Sequence, residues 1–430
     1  MAATPDVVVL GGGPAGSTAA TLLAQAGHKV RLYEREKFPR FHICESFMPD
    51  TYWVLRRLGM LDKMKTSKFI KKYSVQFVTD TGKESQPFYF FENNPHECTQ
   101  TWQVLRSEFD HLLLNNAAEH GVDVRQEHRV LDVQFEGDRA TSIRVKNAHC
   151  EEETVSPTAI VDASGQSSII SNRLKLRKPD PKLKKASVWS YFKNARREPH
   201  PLDEGATLVL QLKEKKGWFW YIPQHDDIIS VGVVGDLDYI FKDDSSLEAI
   251  FAREVENCPA VKSRIAGSER VAEFRTTKDF SYRATRIAGD NWVLAGDAFG
   301  FLDPIYSSGL QLAFRSGQYA ADAVDGALKA NDLNAARLGA WGPEFVTGMD
   351  RIRKLVYAYY DGFSFGKFVA KYPHMKRHIT DLLIGDVFKE TLDEVWEPMA
   401  DVQREIDREM EIKKATAGNE LEIKKTTMSG

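Results

Sequence analysis

The chain has 430 residues, 42% hydrophobic, 28% charged and 11% aromatic, with a formal net charge of -3. That length exceeds what one hydrophobic core usually serves, so two or three structural units are expected, and a charge this close to neutral excludes nucleic acid as the main partner. No apolar run of ~18 residues is present, so no transmembrane helix is expected, and the scattered Cys44, Cys98, Cys150 and Cys258 form no CxxC pair that would suggest a metal site or a disulfide framework.

The first element is the apolar run 6–10 (DVVVL), which reads as a buried parallel strand. With a strand so early, the N-terminus lacks the basic start and longer apolar core of a signal peptide, and a cytoplasmic enzyme with reduced thiols is expected. Gly11, Gly13 and Gly16 then spell GxGxxG ahead of a small-residue helix over 14–26, which Gly27 ends. Gly11 allows the tight turn, Gly13 lets a pyrophosphate approach the backbone, and Gly16 permits close helix–strand packing. The helix N-terminus offers free N–H groups to phosphate, with Ala15 and Ser17 in the same turn. Lys29 to Tyr33 reads as a second strand, and Glu34 at its end is placed to accept ribose hydroxyls. This is a Rossmann-type dinucleotide fingerprint.

Further β-type segments fall at 73–79, 87–91, 159–163, 187–193, 206–212, 218–223 and 228–234. The later ones have no helices between them, which predicts an antiparallel sheet. Residues 291–296 read as another buried strand and 308–327 as a helix. Asp297, following that strand, is a carboxylate suited to the ribityl hydroxyls of a flavin, which narrows the dinucleotide to FAD. From about 340 the pattern is helical, and the polar, Lys-rich tail 412–430 is expected to be disordered at its end. The fold class is therefore α/β. A discontinuous FAD-binding domain with a parallel sheet is expected over 1–70, 100–185 and 265–335. A mostly antiparallel substrate-side sheet is expected over 71–99 and 186–264, and a C-terminal helical region over 336–430.

Several separate motifs carry a family resemblance. GGGPAGS at 11–17 and GDA at 296–298 are similar to those of p-hydroxybenzoate hydroxylase-like flavoproteins. WFWYIP at 218–223, FLDPIYSSG at 301–309 and FPRFHICESFMP at 38–49 are more specific. Over residues 5 to about 370 the chain resembles the flavin-dependent halogenases, in the branch acting on phenols and pyrroles. The resemblance implies that FADH2, dioxygen and chloride or bromide form hypohalous acid, which a lysine directs onto an electron-rich aromatic, free or tethered to a carrier protein. It implies that Trp218 and Trp220 wall the flavin off from organic substrate, and that Ser308 and Gly309 offer amides to halide or flavin. Pro304 and Leu310 belong to the same flavin loop. Arg35, Arg40, Glu45, Arg106 and Val130 are expected at the cofactor, DASGQSS at 162–168 beneath its adenine side, and 353–368 at the substrate entrance. The delivering lysine is Lys72, in FIKKYSVQF, with Lys71 on the opposite strand face. Two family glycines are replaced, by Cys44 and by Ser74. No second Rossmann motif is visible, so FADH2 is expected from a separate flavin reductase. Two other activities fit the shared motifs: reduction of isoprenoid double bonds, as in geranylgeranyl reductase, which predicts a long apolar cavity and no role for Lys72, and aromatic hydroxylation.

Overall fold

The computed structural model describes residues 5–92 and 94–427, with side chains through 412. Strand Val7–Leu10, helix Pro14–Gln25 and strand Val30–Tyr33 form the first βαβ unit. Four consecutive apolar residues suit a strand covered on both faces, and Val7–Leu10 is wholly buried. It lies inside a six-stranded sheet ordered 288–289, 292–294, 159–162, 7–10, 30–33, 123–125. All pairs are parallel except that between 288–289 and 292–294. Helix Ser308–Lys329 packs along Pro14–Gln25, so the last predicted strand and helix return to the first unit.

A second, eight-stranded sheet contains Lys185–Lys193, Thr207–Gln211, Gly217–Pro223 and Ile228–Asp236. Its period of two divides the WFWYIP strand between two cores. Trp218, Trp220 and Ile222 face the main core, whereas Phe219 and Tyr221 face a smaller one containing Phe251. The sheet is antiparallel except where Ser74–Val78 joins Thr207–Gln211 in parallel. The predicted strand 87–91 shrinks to Phe88–Tyr89, followed by a 3-10 turn over Phe90–Glu92. Strand Ile70–Lys72 stays outside this sheet and pairs with Thr101–Gln103.

Helix Arg106–Glu119 and the hairpin of Arg129–Glu136 with Arg139–Lys146 are not among the predicted elements. Helix Gly342–Tyr360 opens the helical C-terminal region. The tail, expected to be disordered at its end, is helical as far as Thr427 within Trp396–Thr427; residues 428–430 lie outside the described ones. Among the described residues no helix is long and apolar enough to cross a membrane.

Candidate active site

The glycine turn depends on missing side chains. Gly11 has φ +102°, and a Cβ there would lie 2.5 Å from the Ala163 carbonyl oxygen. A Cβ on Gly16 would lie 1.9 Å from the Gly11 carbonyl oxygen, so helix and strand close only over glycine. At Gly13 the nearest neighbour of such a Cβ is Arg40 Nη2, at 3.7 Å. That backbone is open to a ligand and has a cation beside it. Glu34 reaches back to the turn: its Oε2 accepts from the Gly12 N–H at 2.8 Å and its Oε1 from the Glu36 N–H at 2.9 Å.

These groups border a cleft of about 740 Å³, within the range of cofactor sites. Gly11, Gly13, Ala15, Glu34, Arg35 and Arg40 line one part, with the 164–167 turn. Arg106, Val130, Asp297, Gly309 and Leu310 line the rest. Asp110 holds two of the arginines. It accepts from Arg106 at 2.7 and 2.8 Å and from Arg40 at 3.1 Å. Arg106 also donates to the carbonyl oxygens of Ile43 and Cys44, so it braces the 43–44 peptide from beneath. Burial pushes the Asp297 carboxyl up to about 6, as expected of a carboxylate on a cleft wall with few charges near it.

A second cavity of about 100 Å³ adjoins the cleft, and Cys44, Asp297 and Gly309 border both. Trp218 and Trp220 line it, with ring centroids 6.3 Å apart. Gly232 makes room for this pair, since a Cβ there would lie 2.2 Å from the Trp220 ring. Ser46 and Thr207 also line the cavity, their hydroxyl oxygens 2.9 Å apart. Behind them is Lys72, 3% exposed. Its Nζ donates to Ser46 Oγ at 2.8 Å and to the Phe47 carbonyl at 3.1 Å, and it lies 5.4 Å from the centre of the Phe90 ring. Burial among these neutral partners pushes the amine down to about 7. Lys71, one residue earlier, is exposed.

Comparison with known proteins places this geometry. Residues 4–328 match the family model described as FAD binding domain. A 1H-pyrrole-2-carbonyl-[peptidyl-carrier protein] chlorinase of Pseudomonas fluorescens is 31% identical over 424 residues, covering 93% of this chain and 94% of the relative. The chain belongs to the flavin-dependent halogenases. The halogenase armH3 of Armillaria mellea is 35% identical over 76% of this chain and 68% of its own length. The solved brominase Bmp2 superposes with a TM-score of 0.84 at 28% identity, covering 95% of this chain and 100% of that one.

FAD fits the cleft of this halogenase. The open backbone at Gly13 beside Arg40 suits a pyrophosphate, and the half-buried Asp297 on the cleft wall is an acceptor that matches hydroxyl donors. Not every residue expected at the cofactor faces it. Ser17 is consumed by the turn: its hydroxyl donates to the Gly12 carbonyl at 2.9 Å and its N–H to the Gly13 carbonyl. Gly16 lies beneath the cleft as a packing position. Glu45 and Pro304 border the second cavity instead. Glu45 is buried and accepts from the Tyr191 hydroxyl at 2.6 Å. Ser308 is buried under the loop, and its neighbour Ser307 takes the cavity-facing place, because Ser307 turns left-handed at φ +57° just before the helix. The stretch 353–368, expected at the substrate entrance, contributes no residue to either cavity, and Tyr360 binds the back of Trp218. Sequence reading also missed Trp189, which lines the cleft beside Trp220. Its only signal in the sequence is an aromatic within the β-type segment 187–193.

The two glycine replacements differ in kind. Ser74 sits in regular strand Ser74–Val78 and needs no glycine backbone. Cys44 holds φ +80°, a conformation that favours glycine. Burial pushes its thiol up to about 11, and its Sγ lies 3.1 Å from where a Cβ of Gly309 would be. Elsewhere, Glu108, His225 and Asp226 bring ligand atoms within 4.8 Å of one another. Lys68 already sits among them, 2.8 Å from Asp226 and 3.5 Å from Glu108.

Proposed function

We propose that this halogenase chlorinates or brominates an electron-rich ring of the pyrrole type, presented on a carrier protein, and that Lys72 delivers the halogen. The observation that carries the reading is the line of contacts from the cleft to Lys72 Nζ. It runs past Cys44 and Gly309, through a cavity walled by Trp218 and Trp220, to the hydroxyls of Ser46 and Thr207. Bound as FADH2, the flavin would supply two of the four electrons that dioxygen takes up, the halide supplying the other two as it becomes hypohalous acid, with one water released. The chain does the rest. Amides at the start of helix Ser308–Lys329, with Gly309 on the cavity, favour an anion beside the flavin. The tryptophan wall leaves a space that admits a halide or hypohalous acid and is too small for a prenyl chain, which disfavours a geranylgeranyl-reductase activity. An amine titrating near 7 is neutral in a large fraction of molecules at physiological pH. It can hydrogen-bond hypohalous acid or exchange a proton for halogen, releasing water.

The carrier-bound pyrrole is supported by the Pseudomonas chlorinase and by a 1H-pyrrole-2-carbonyl-[peptidyl-carrier protein] brominase of Pseudoalteromonas luteoviolacea, 32% identical over 76% of this chain. FADH2 is assigned to a separate flavin reductase. The FAD-binding part is assigned to 1–70, 100–185 and 265–335, the substrate side to 71–99 and 186–264, and the helical region to 336–430. The test is halide-dependent formation of halogenated pyrrole-2-carbonyl carrier protein from FADH2, generated by an added reductase, and dioxygen. Turnover of free pyrroles or phenols alone would overturn the carrier assignment. No halogenated product from any activated ring would overturn the halogenase reading.

A further inference from the structure

Helix Gly342–Tyr360 lies beyond the span of the FAD-binding model, yet its last residue touches both structures that enclose the second cavity. The Trp218 indole N–H donates to the Tyr360 hydroxyl oxygen at 3.0 Å. The Tyr360 hydroxyl lies 3.0 Å from Asp303 Oδ2. The other oxygen, Oδ1, accepts from the Ile305 N–H at 2.9 Å. Asp303 is fully buried and lies outside both cavities, but the residues it precedes, Pro304, Ile305 and Ser307, all line the second one.

Hydrogen-bond polarity gives this chain of contacts one direction. An indole N–H can only donate, so the Tyr360 oxygen must accept from Trp218. The single phenolic proton is then left for Asp303, and Asp303 must present an unprotonated oxygen to it. Neighbouring groups hold the phenol in place. Lys185 Nζ lies 3.7 Å above the Tyr360 ring and is itself 2.6 Å from Asp236. The Tyr359 ring meets Trp218 edge-on, and the Tyr306 hydroxyl donates to the Leu355 carbonyl at 3.3 Å.

We propose that Tyr360 is a positioning residue for halogenation: its one hydroxyl sets the tryptophan wall relative to the 303–309 loop, and so keeps halide oxidation ahead of loss of peroxide. The proposal rests on the halogenase reading. Without the hydroxyl, the Trp218 N–H and Asp303 Oδ2 both lose a buried partner, and each must move or admit water to regain one. The loop and the wall then shift independently. Asp303 gives the strut a pH dependence. Burial pushes its carboxyl up to about 7, with Tyr360 and Lys185 opposing that rise and the Tyr306 and Tyr359 phenols close by. Protonation on Oδ2 would put two protons between Tyr360 and Asp303 and break the chain.

The test uses the full-length protein with Tyr360→Phe and Asp303→Asn, FADH2 from an added reductase, bromide and monochlorodimedone. In the Tyr360→Phe variant the fraction of dioxygen recovered as brominated probe should fall at least fivefold, with hydrogen peroxide rising to match and FAD affinity within twofold of wild type. Wild type should show a step in this partition between pH 6 and 8, and the step should be smaller in the variant, where the Lys72 amine still titrates but Asp303 no longer bears on Trp218. Backbone hydrogen exchange of 301–309 should rise in the variant while that of 7–33 does not. Wild-type partition and exchange in Tyr360→Phe would overturn the proposal. If that variant does not fold, Asp303→Asn decides by the same measures. Should wild type halogenate nothing, the halogenase reading fails, and hydrogen exchange still decides the strut.

Discussion

Lys72 Nζ lies 2.8 Å from the hydroxyl of Ser46, a residue 26 positions earlier. This contact joins the 38–49 motif to the lysine strand, and Ser46 passes it on to Thr207 in the eight-stranded sheet. The amine is thereby fixed behind the two hydroxyls that close a cavity whose front is the flavin cleft.

Replacing Lys72 should separate oxidation from halogenation. In Lys72→Met we expect halogenated pyrrole product to fall by at least ~100-fold, the scale of losing one group that acts only in the chemical step. Dioxygen consumption by FADH2 should continue at the wild-type rate. Lys72→Arg should fail equally, because guanidinium stays charged. Product quantified by mass spectrometry beside an oxygen electrode checks both.

The same lysine makes a stability prediction with a definite sign. Its amine titrates at about 7 folded, against an ordinary value of 10.5. Between those values the unfolded chain holds the extra proton, so wild-type stability rises with pH across that window. Below pH 7 the burden is fully present. Lys72→Met should therefore raise Tm most at pH 6–7, and its advantage should shrink steadily towards pH 10. At ~1.4 kcal/mol per pH unit the full effect is a few kcal/mol. A Tm gain independent of pH would refute it.

Glu34 bears on both folding and binding. Because its carboxylate holds the Gly12 and Glu36 amides, Glu34→Ala should weaken FAD binding by about 1–3 kcal/mol and also lower the Tm of the apoprotein. Fluorescence titration and thermal melts measure the two effects separately. Loss of affinity with unchanged apoprotein stability would mean that the clamp on the glycine turn contributes nothing.

Cys44 should behave as a structural, unreactive thiol. With its thiol pushed up to about 11, only about one molecule in a thousand is thiolate at pH 8. Labelling by a thiol-specific disulfide reagent should be slow there and accelerate as pH rises towards 11, whereas exposed Cys150 should label first. At φ +80°, Cys44→Gly should be more stable than Cys44→Ala by about 1 kcal/mol, because only glycine accepts that backbone without strain. Equal stabilities in urea melts would remove the backbone argument.

Local chemistry made much of this protein legible from sequence alone. The turn from Gly11 to Gly16, the carboxylate at Glu34, and the alternation that sends Trp218 and Trp220 to one side of their strand all follow from steric and periodic rules acting over a few residues. The α/β class and the FAD cleft follow from them. Tertiary structure decided what depends on contacts between distant segments. It set Lys72 in a ladder apart from the main sheet, with its amine buried on Ser46. It used up Ser17 inside its own turn and moved Glu45 to Tyr191, and it brought Tyr360 behind Trp218. It also separated two substitutions that look alike in sequence. Ser74 lies in an ordinary strand, whereas Cys44 must hold a left-handed backbone, because Arg106 grips the carbonyls of residues 43 and 44 from a helix 62 positions away. Burial and long-range hydrogen bonds set those outcomes, and neither is written in the spacing of neighbouring residues.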